Sequence, residues 1–144
     1  MFAKQVFNVG GFYDNKIAAR INALQLACAL EAPSNVIEAL CNAYPDGMEE
    51  VDSSYQRNAL HIAVLNGASP STVQALLKLN PGVARARDVH GRLPIHYACK
   101  EDSNGEKNAF HLLKVFPETA VVADINGFLP LLSRIHFSAP TSKA

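Results

Sequence analysis

Histidine and cysteine are the residues of this sequence that could bind a metal or act in catalysis. The chain of 144 residues has five histidines and three cysteines. Zinc sites place such residues at short spacings such as HExxH or paired CxxC, and neither spacing occurs here. A nucleophilic cysteine also needs a nearby base and a positively charged setting, which the sequence does not indicate. We therefore expect Cys28, Cys41 and Cys99 to fill the core, and we predict no metal and no other cofactor.

Carboxylates, serines and glycines give no catalytic pattern either. The acidic pairs Glu49-Glu50 and Glu101-Asp102 fall in segments that read as loops, where a solvated surface is expected rather than an acid/base pair. No serine lies in a GxSxG turn. Gly10-Gly11 is a lone pair, which predicts a flexible entry turn rather than a phosphate-binding loop. The sequence therefore predicts that the chain is not an enzyme.

Composition narrows the class of protein further. There are 13 Lys and Arg against 13 Asp and Glu, 49% of the residues are hydrophobic, and 18% are charged. These values predict one globular domain and argue against binding to nucleic acid or to an anionic membrane surface, both of which need an excess of positive charge. No apolar run reaches the ~18 residues of a membrane span, and no signal peptide is evident. With an odd number of cysteines, a cytoplasmic or nuclear location is expected.

The chain repeats itself at a nearly constant interval, a pattern that indicates stacked structural units. Three prolines and three aspartates recur every 36 residues, at Pro45, Pro81, Pro117, Asp52, Asp88 and Asp124. A second block begins at Asn22, Asn58, Leu93 and Leu129, with steps of 36, 35 and 36 residues. Several sets of residues repeat at the same interval, which excludes chance. The single step of 35 residues indicates that one loop differs in length by one residue.

Each unit reads as two short helices and a turn. Asn58 can cap the first helix, Pro94 suits the first helical position one unit later, and Gly67 can end the helix in a left-handed conformation. The second helix is predicted to begin near Ser71 and to end before Pro81, because proline cannot continue it.

The second helix carries an apolar stripe, and the segment after it does not. Val73, Leu76 and Leu77 have the i, i+3, i+4 spacing of a buried face, and Leu76 and Leu112 are predicted to be buried at equivalent positions. The segment 82–92 shows no helical stripe and is predicted to hold a turn between Asp88 and Gly91.

Segments Asp88–Cys99 and Asn58–Gly67 resemble the opening of an ankyrin repeat, D-x-x-G-x-T-P-L-H-x-A, which recurs about every 33 residues. The resemblance implies an all-α solenoid of about three and a half helical hairpins with projecting turns over residues 18–137. An irregular segment at 1–17 and a disordered tail at 138–144 would flank it. It also implies that His61 and His96 hydrogen-bond to the backbone within and between units.

The sequence departs from the family pattern at several positions. Proline replaces the glycine after the second helix, and Leu93 replaces a threonine that would cap the first helix. In the last unit Leu132 replaces the histidine, and no second helix follows before Ala144. The apolar stretch from Leu129 to Phe137 leaves three alternatives: an improvised cap, a continuing chain, or weak self-association of an otherwise monomeric protein.

By the same resemblance, the function is to bind another protein without catalysis, through the turn tips and the exposed face of the first helices. The alternative is a regulatory or targeting part of a longer enzyme. The implied contact residues are Ser54, Tyr55, Arg57, Leu65, Asn66, Val89, His90, Arg92, Lys100, Glu101, Ile125, Asn126 and Phe128.

Charge is segregated along the chain. Residues 1–52 carry three positive and seven negative side chains (−4), residues 53–100 carry six and one (+5), and residues 101–144 carry four and five (−1). Arg85, Arg87 and Arg92 surround one predicted turn, with Lys100 on the helix after it. Two interpretations remain open. The segment is a solvated turn, or it is a patch that binds an acidic or phosphorylated segment of the partner, since a guanidinium group can donate two parallel hydrogen bonds to a carboxylate or a phosphate.

Overall fold

The computed structural model describes residues 5–11, 17–99 and 104–130, which form a β-hairpin followed by three helical hairpins. The strands are β1 (Val6–Gly11) and β2 (Ile17–Asn22). The helices are α1 (Ala23–Ala29), α2 (Ser34–Ala43), α3 (Ala59–Leu65), α4 (Pro70–Leu79), α5 (Pro94–Ala98) and α6 (Gly105–Val115). Short 3₁₀ helices follow the second helix of each pair, at Pro45–Met48, Pro81–Arg85 and Pro117–Val121.

The helical pairs stack in register, so that the helices form two layers. First helices lie on first helices (α1 on α3, α3 on α5), and second helices on second helices (α2 on α4, α4 on α6). One apolar core runs between the layers. The predicted helical repeat stack is therefore confirmed.

The first helices begin as the sequence predicts. The Asn58 side chain accepts a hydrogen bond from the His61 amide at 2.9 Å, and Asn22 caps α1 in the same way through the Gln25 amide at 2.8 Å. Pro94 is the first residue of α5, which has no side-chain cap at Leu93. Gly67 ends α3 with a φ of 73°, in the left-handed conformation that glycine adopts at low cost.

The second helix of the middle unit begins at Pro70, one residue before the predicted start near Ser71. Ser69 caps α4, and its hydroxyl accepts from the Thr72 amide at 3.4 Å. Pro70 is the reason, because proline is favoured at the first helical position and fixes the start of the helix one residue after Ser69. Each second helix ends just before a proline, as predicted.

A 3₁₀ helix, Pro81–Arg85, occupies the start of the segment in which the sequence shows no helical stripe. A proline at its first position presets the backbone for a new short helix. Val83 and Ala84 in the second unit then turn inward and are buried. Burial of these two residues anchors to the core the segment that connects the second helix with the turn.

Burial follows the repeat register. Leu76 and Leu112 are 0% and 2% exposed, which confirms the predicted equivalence. Leu40 holds the same position in the first unit and is only half-buried. Among the described residues, no earlier helix covers α2, and this accounts for the difference.

Part of the segment 1–17, predicted to be irregular, is the strand β1. β1 and β2 pair antiparallel, with Phe7 opposite Ile21 and Asn8 opposite Arg20, and Gly10-Gly11 ends β1 rather than forming a turn. The neighbouring turn explains the extended backbone, since Arg20 donates its amide to the Ser53 hydroxyl at 2.8 Å and accepts the Ser53 amide at 3.3 Å. The predicted tail at 138–144 and the apolar stretch beyond Pro130 lie outside the described residues.

Candidate partner-binding surface

Three turns, each opened by an aspartate, project from the units at residues 52–57, 88–92 and 124–128. One carboxylate oxygen of Asp88 accepts the backbone amides of His90 and Arg92 at 2.9 and 3.0 Å. Asp124 accepts two amides of its own turn, both at 2.9 Å. Asp52 closes the first turn in the same manner. The aspartates that recur every 36 residues therefore shape the turns.

The slip of one residue lies in the first turn. Asp88 is bridged by a backbone hydrogen bond to Arg92, four residues on, whereas Asp52 is bridged to Arg57, five residues on. The position before the bridging residue has a positive φ in both turns, 73° at Gly91 and 57° at Gln56. The first turn thus reaches the same closure with an inserted residue and a non-glycine in the left-handed region.

Backbone hydrogen bonds join successive turns into one row. Val89 donates its amide to the Tyr55 carbonyl, and Ile125 donates to the His90 carbonyl, both at 2.9 Å. The Ser53–Arg20 contacts continue this row to β2. We call residues 52–57, 88–92 and 124–128 the turn row. Because each turn is fastened to the next, the turn row presents its side chains on a rigid base.

Apolar side chains lie exposed along the turn row. Val89 and Phe128 are each 45% exposed and Ile125 is 67% exposed. Asn126 beside them is exposed, and Ser54 in the first turn is half-buried. Solvation alone would favour polar residues at such tips, so the exposed apolar groups form a surface suited to another protein.

Tyr55 and His90 connect the first two turns through their rings. Their ring centroids lie 5.7 Å apart, and both residues are half-buried. The Arg57 guanidinium carbon lies 4.4 Å from the centre of the Tyr55 ring. Tyr55 and His90 therefore pack partly on neighbours in the stack and keep only part of their surface for a partner.

Arg57 does not belong to the exposed surface on which sequence reasoning placed it. Its side chain is 8% exposed, and its Nε donates to Asp88 Oδ2 of the next unit at 3.2 Å. A second nitrogen donates to the Tyr97 hydroxyl at 2.7 Å, and that hydroxyl donates to Asp88. The turn folds this cation inward because the aspartate of the next unit supplies a buried counter-charge. Its role is structural.

Arg92 repeats this arrangement one unit later. Its Nε donates to Asp124 Oδ2 at 3.1 Å, and its side chain remains 28% exposed. Phe128 takes the equivalent place in the third turn, where the sequence has no arginine to form such a pair. Each of the two arginines thus ties its turn to the aspartate of the following unit.

Ion pairs reduce the positive patch predicted around the second turn. Arg85 pairs with the exposed Glu118 of the next unit and lies over the Phe116 ring, and Arg92 pairs with Asp124. Arg87 donates to the Ala123 carbonyl at 3.2 Å, so its charge is not matched by a carboxylate in that contact. Carboxylates of the following unit therefore accompany two of the three arginines.

The remaining predicted contact residues are scattered. Leu65 is half-buried and Asn66 is exposed at the end of α3, the opposite end of that helix from the turn row. Asn66 is the C-cap residue, and its side chain donates to the Ile62 carbonyl at 2.8 Å. Lys100 and Glu101 lie outside the described residues. The turn row is thus the part of the predicted set that the structure brings together.

The histidines of the repeat hydrogen-bond to the backbone, as the resemblance implied. His61 Nε2 donates to the Arg92 carbonyl at 2.9 Å and His96 Nε2 to the Phe128 carbonyl at 3.2 Å. Burial lowers the pKa of His61 to about 4, against opposing contributions from the Arg92 hydrogen bond and Asp88. A neutral His61 is therefore part of the inter-unit contact at pH 7.

Gln25 performs this task in the first unit, and sequence reasoning missed it. Its side-chain nitrogen donates to the Glu50 carbonyl at 2.9 Å and to the Arg57 carbonyl at 3.4 Å. Gln25 lies 36 residues before His61, so the repeat register contained the signal. An amide and an imidazole nitrogen can donate the same hydrogen bond from this position.

Cysteine chemistry is absent from the turn row. Cys28, Cys41 and Cys99 are buried and form no disulfide within the described part of the chain, and their burial confirms their prediction as core residues. Burial raises the pKa of Cys41 to about 11 and that of Cys28 still higher, so neither is a thiolate at neutral pH. Within the described part of the chain, no three His, Cys, Asp or Glu residues are grouped to hold a metal ion.

No helix among the described residues is long and apolar enough to cross a membrane.

Comparison with known proteins agrees with this architecture. The family model "Ankyrin repeats (3 copies)" matches residues 24–126. Ankyrin repeat protein nuc-2 of Neurospora crassa is 30% identical over 126 residues, which cover 87% of this chain and 11% of that protein. The chain therefore spans about a tenth of the length of this curated relative.

Proposed function

The chain belongs to the ankyrin repeat family, and we propose that it binds a partner protein through the turn row. Ankyrin repeats are in general protein-interaction modules and are typically not catalytic. The observation that supports this surface is the exposure of Val89, Ile125 and Phe128 on turns that backbone hydrogen bonds align.

Rigidity and composition favour a protein as the ligand of the turn row. Fixed turns lose little conformational entropy on binding, which leaves more of the contact energy as affinity. Apolar side chains at Val89, Ile125 and Phe128 would enter the centre of the interface, while Ser54 and Asn126 would lie at its polar rim. Tyr55, His90 and Arg92 would contribute their exposed parts, and Leu65 and Asn66 would extend the interface along α3.

An acidic or phosphorylated segment of the partner is the narrower hypothesis, and it depends chiefly on Arg87. Arg85 and Arg92 already have carboxylate partners, so a new anion would have to compete for them. Arg87→Glu should then weaken binding and reduce its salt dependence. Titration at two salt concentrations tests this; an unchanged affinity would rule the acidic segment out.

The proposal is tested by affinity capture from native cell extract, followed by titration of the purified partner. A double variant, Val89→Asp with Ile125→Asp, should weaken binding at least about tenfold, the range of a central hot spot. Leu30→Asp is the matched control, because Leu30 is 72% exposed at the end of α1 opposite the turns and should keep wild-type affinity. Equal affinities for the wild type and the double variant would refute the turn row as the binding surface.

A second candidate function is a regulatory or targeting unit within a longer enzyme. The observation that favours it is the relative's length, since 126 matched residues make up 11% of that protein. Sequencing the complete transcript tests this candidate, because a catalytic domain would be encoded in the same reading frame.

We further propose that the protein acts in the cytoplasm or the nucleus. The three buried thiols, which form no disulfide within the described residues, are consistent with a reducing compartment. A fluorescent fusion seen in the secretory pathway would contradict this location.

A further inference from the structure

The contacts of β2 show which way the backbone groups of the β-hairpin point. The Arg20 amide donates to the Ser53 hydroxyl, and the Arg20 carbonyl accepts the Ser53 amide. In an extended strand the amide and the carbonyl of one residue point to the same side. The backbone groups of Arg20 therefore point toward the first turn and away from β1.

Asn8 lies opposite Arg20 in the register of the hairpin. Because Arg20 directs its backbone groups away from β1, this pair is one of the non-hydrogen-bonded pairs of an antiparallel ladder, and the amide and carbonyl of Asn8 point away from β2. Val6, two residues earlier, points to the same side of the strand. It lies opposite Asn22, whose amide donates to the Gln25 side chain. We call the outward backbone groups of Val6 and Asn8 the β1 edge.

The β1 edge lacks the features that commonly prevent strand pairing. Val6 is 49% exposed, and the Asn8 side chain is also exposed. Within residues 5–11, 17–99 and 104–130 the sheet has two strands, so no third strand lies beside this edge. Proteins commonly protect an edge strand with charges, especially lysine, or with proline. The segment Val6–Gly11 contains no charged residue and no proline, so the β1 edge is suited to pair with another strand.

A second copy of this chain offers the complement of the β1 edge. Two identical strands that run antiparallel about a two-fold axis place donors opposite acceptors, so the edge is complementary to itself. Two copies do not repel each other along it, because the segment Val6–Gly11 carries no charge. Phe7, whose side chain points to the other face of the strand, already packs against the core. Pairing at the edge therefore leaves the packing of the hairpin on the stack unchanged.

We propose that two copies of this chain associate by antiparallel pairing of their β1 edges. The dimer contains a four-stranded sheet with the two β1 strands at its centre. One pair of short strands buries little surface, so the association is weak and depends on protein concentration.

The dimer also joins the two turn rows, because the Ser53–Arg20 contacts connect each turn row to its own β2. A partner with two binding segments is then held more tightly by the dimer than by the monomer. This consequence rests on the function proposed for the turn row, whereas the pairing of the β1 edges does not.

Sedimentation equilibrium of the full chain measures the association. The average mass should rise toward that of a dimer between micromolar and millimolar protein. Amide hydrogen exchange over the same range locates the contact. The amides of Val6 and Asn8 should become protected as the dimer forms. The Phe7 amide belongs to a hydrogen-bonded pair of the hairpin and should be protected at every concentration.

Two variants should each weaken the dimer at least about tenfold. Asn8→Pro removes an amide of the β1 edge and should keep the hairpin, because that amide does not pair with β2. Val6→Lys adds a positive charge to the edge of each copy, and it decides the question should Asn8→Pro not fold. Val121→Lys is the matched control, because Val121 is 73% exposed in the third unit. It should change the association by less than about twofold, since the added charge is distant and screened.

Three results would overturn the proposal. The first is a chain that stays monomeric at millimolar concentration. The second is a dimer that the edge variants leave unchanged, which would show that another surface associates. The third is equal protection of the Val6 and Asn8 amides at every concentration, which would show that a segment of the same chain covers the β1 edge.

Discussion

A single carboxylate of the turn row holds several groups together at the scale of one residue. Asp88 receives two backbone amides, the Tyr97 hydroxyl and the Arg57 guanidinium. Burial alone would raise the pKa of Asp88, but the hydrogen bonds from the Tyr97 hydroxyl and from the Arg92 and His90 amides outweigh it and hold the pKa below its usual value. Asp88 is therefore charged at neutral pH, and it connects its own turn with Arg57 of the preceding unit.

Substitutions at Gly91 and Gly127 can measure the cost of backbone strain with and without a close packing contact. Gly91 and Gly127 have φ values of 73° and 83°, and a Cβ at Gly91 would lie 3.0 Å from the Ile125 side chain, whereas a Cβ at Gly127 would meet nothing within 4 Å. Gly127→Ala should cost about 1 kcal/mol of unfolding free energy, the strain of a left-handed alanine. Gly91→Ala should cost about 1 kcal/mol more, because the overlap adds to the strain.

Urea unfolding of both variants measures this difference. Equal losses of stability would show that the Gly91–Ile125 approach is not tight.

His61 makes the stability of the stack depend on pH. Its pKa is about 4 in the folded protein against an ordinary value of 6.5. The unfolded chain takes up the proton first, so stability falls as pH decreases from about 6.5 to 4 and is level below. The loss is on the order of 3 kcal/mol at about 1.4 kcal/mol per pKa unit.

His61→Gln provides the check, since Gln25 makes the corresponding contact in the first unit. The variant should flatten the urea midpoint against pH over this window. His96, whose pKa burial also lowers, should leave a smaller slope. An unchanged slope in His61→Gln would mean that His61 does not titrate in this way.

At the scale of elements, the buried Arg57–Asp88 pair is expected to contribute more to the free energy of unfolding than the exposed Arg85–Glu118 pair. Arg57→Ala leaves Asp88 buried with a lost partner, and breaking a buried pair typically costs about 3–5 kcal/mol. Arg85→Ala breaks the exposed pair with Glu118, where water screens the charges and the side chains are mobile. Its effect on the urea midpoint should be much smaller, and the reverse order would contradict the structural role of Arg57.

The repeat register predicted the elements, the turns and the ends of the second helices, but not the contacts between distant residues. Proline and aspartate at fixed intervals gave the helix ends and the turns, because each acts on its own local backbone. The inward turn of Arg57 could not be predicted in this way, since its partners Asp88 and Tyr97 lie 31 and 40 residues away. The strand Val6–Gly11 likewise depends on β2 and the Ser53 contacts.

The candidate site residues differ in the same way, since some follow from the local sequence and others depend on contacts with distant residues. The tips at Val89 and Ile125 project from turns that the local sequence defines, so their exposure follows from the register. The partial burial of Tyr55 and His90 depends on the ring contact between two turns, which the local sequence of neither turn shows.

At the scale of the whole molecule, stability is expected to depend on position in the stack, because each unit contacts only its neighbours. Leu76 lies in the middle unit at 0% exposure, with helices packed on both sides of α4. Leu76→Ala should cost about 2–5 kcal/mol, the range for truncating a buried leucine. Leu40, half-buried in the first unit, should cost clearly less when changed to alanine. Urea midpoints measured by circular dichroism decide this, and a midpoint of Leu76→Ala equal to that of the wild type would remove the basis for the stacked core.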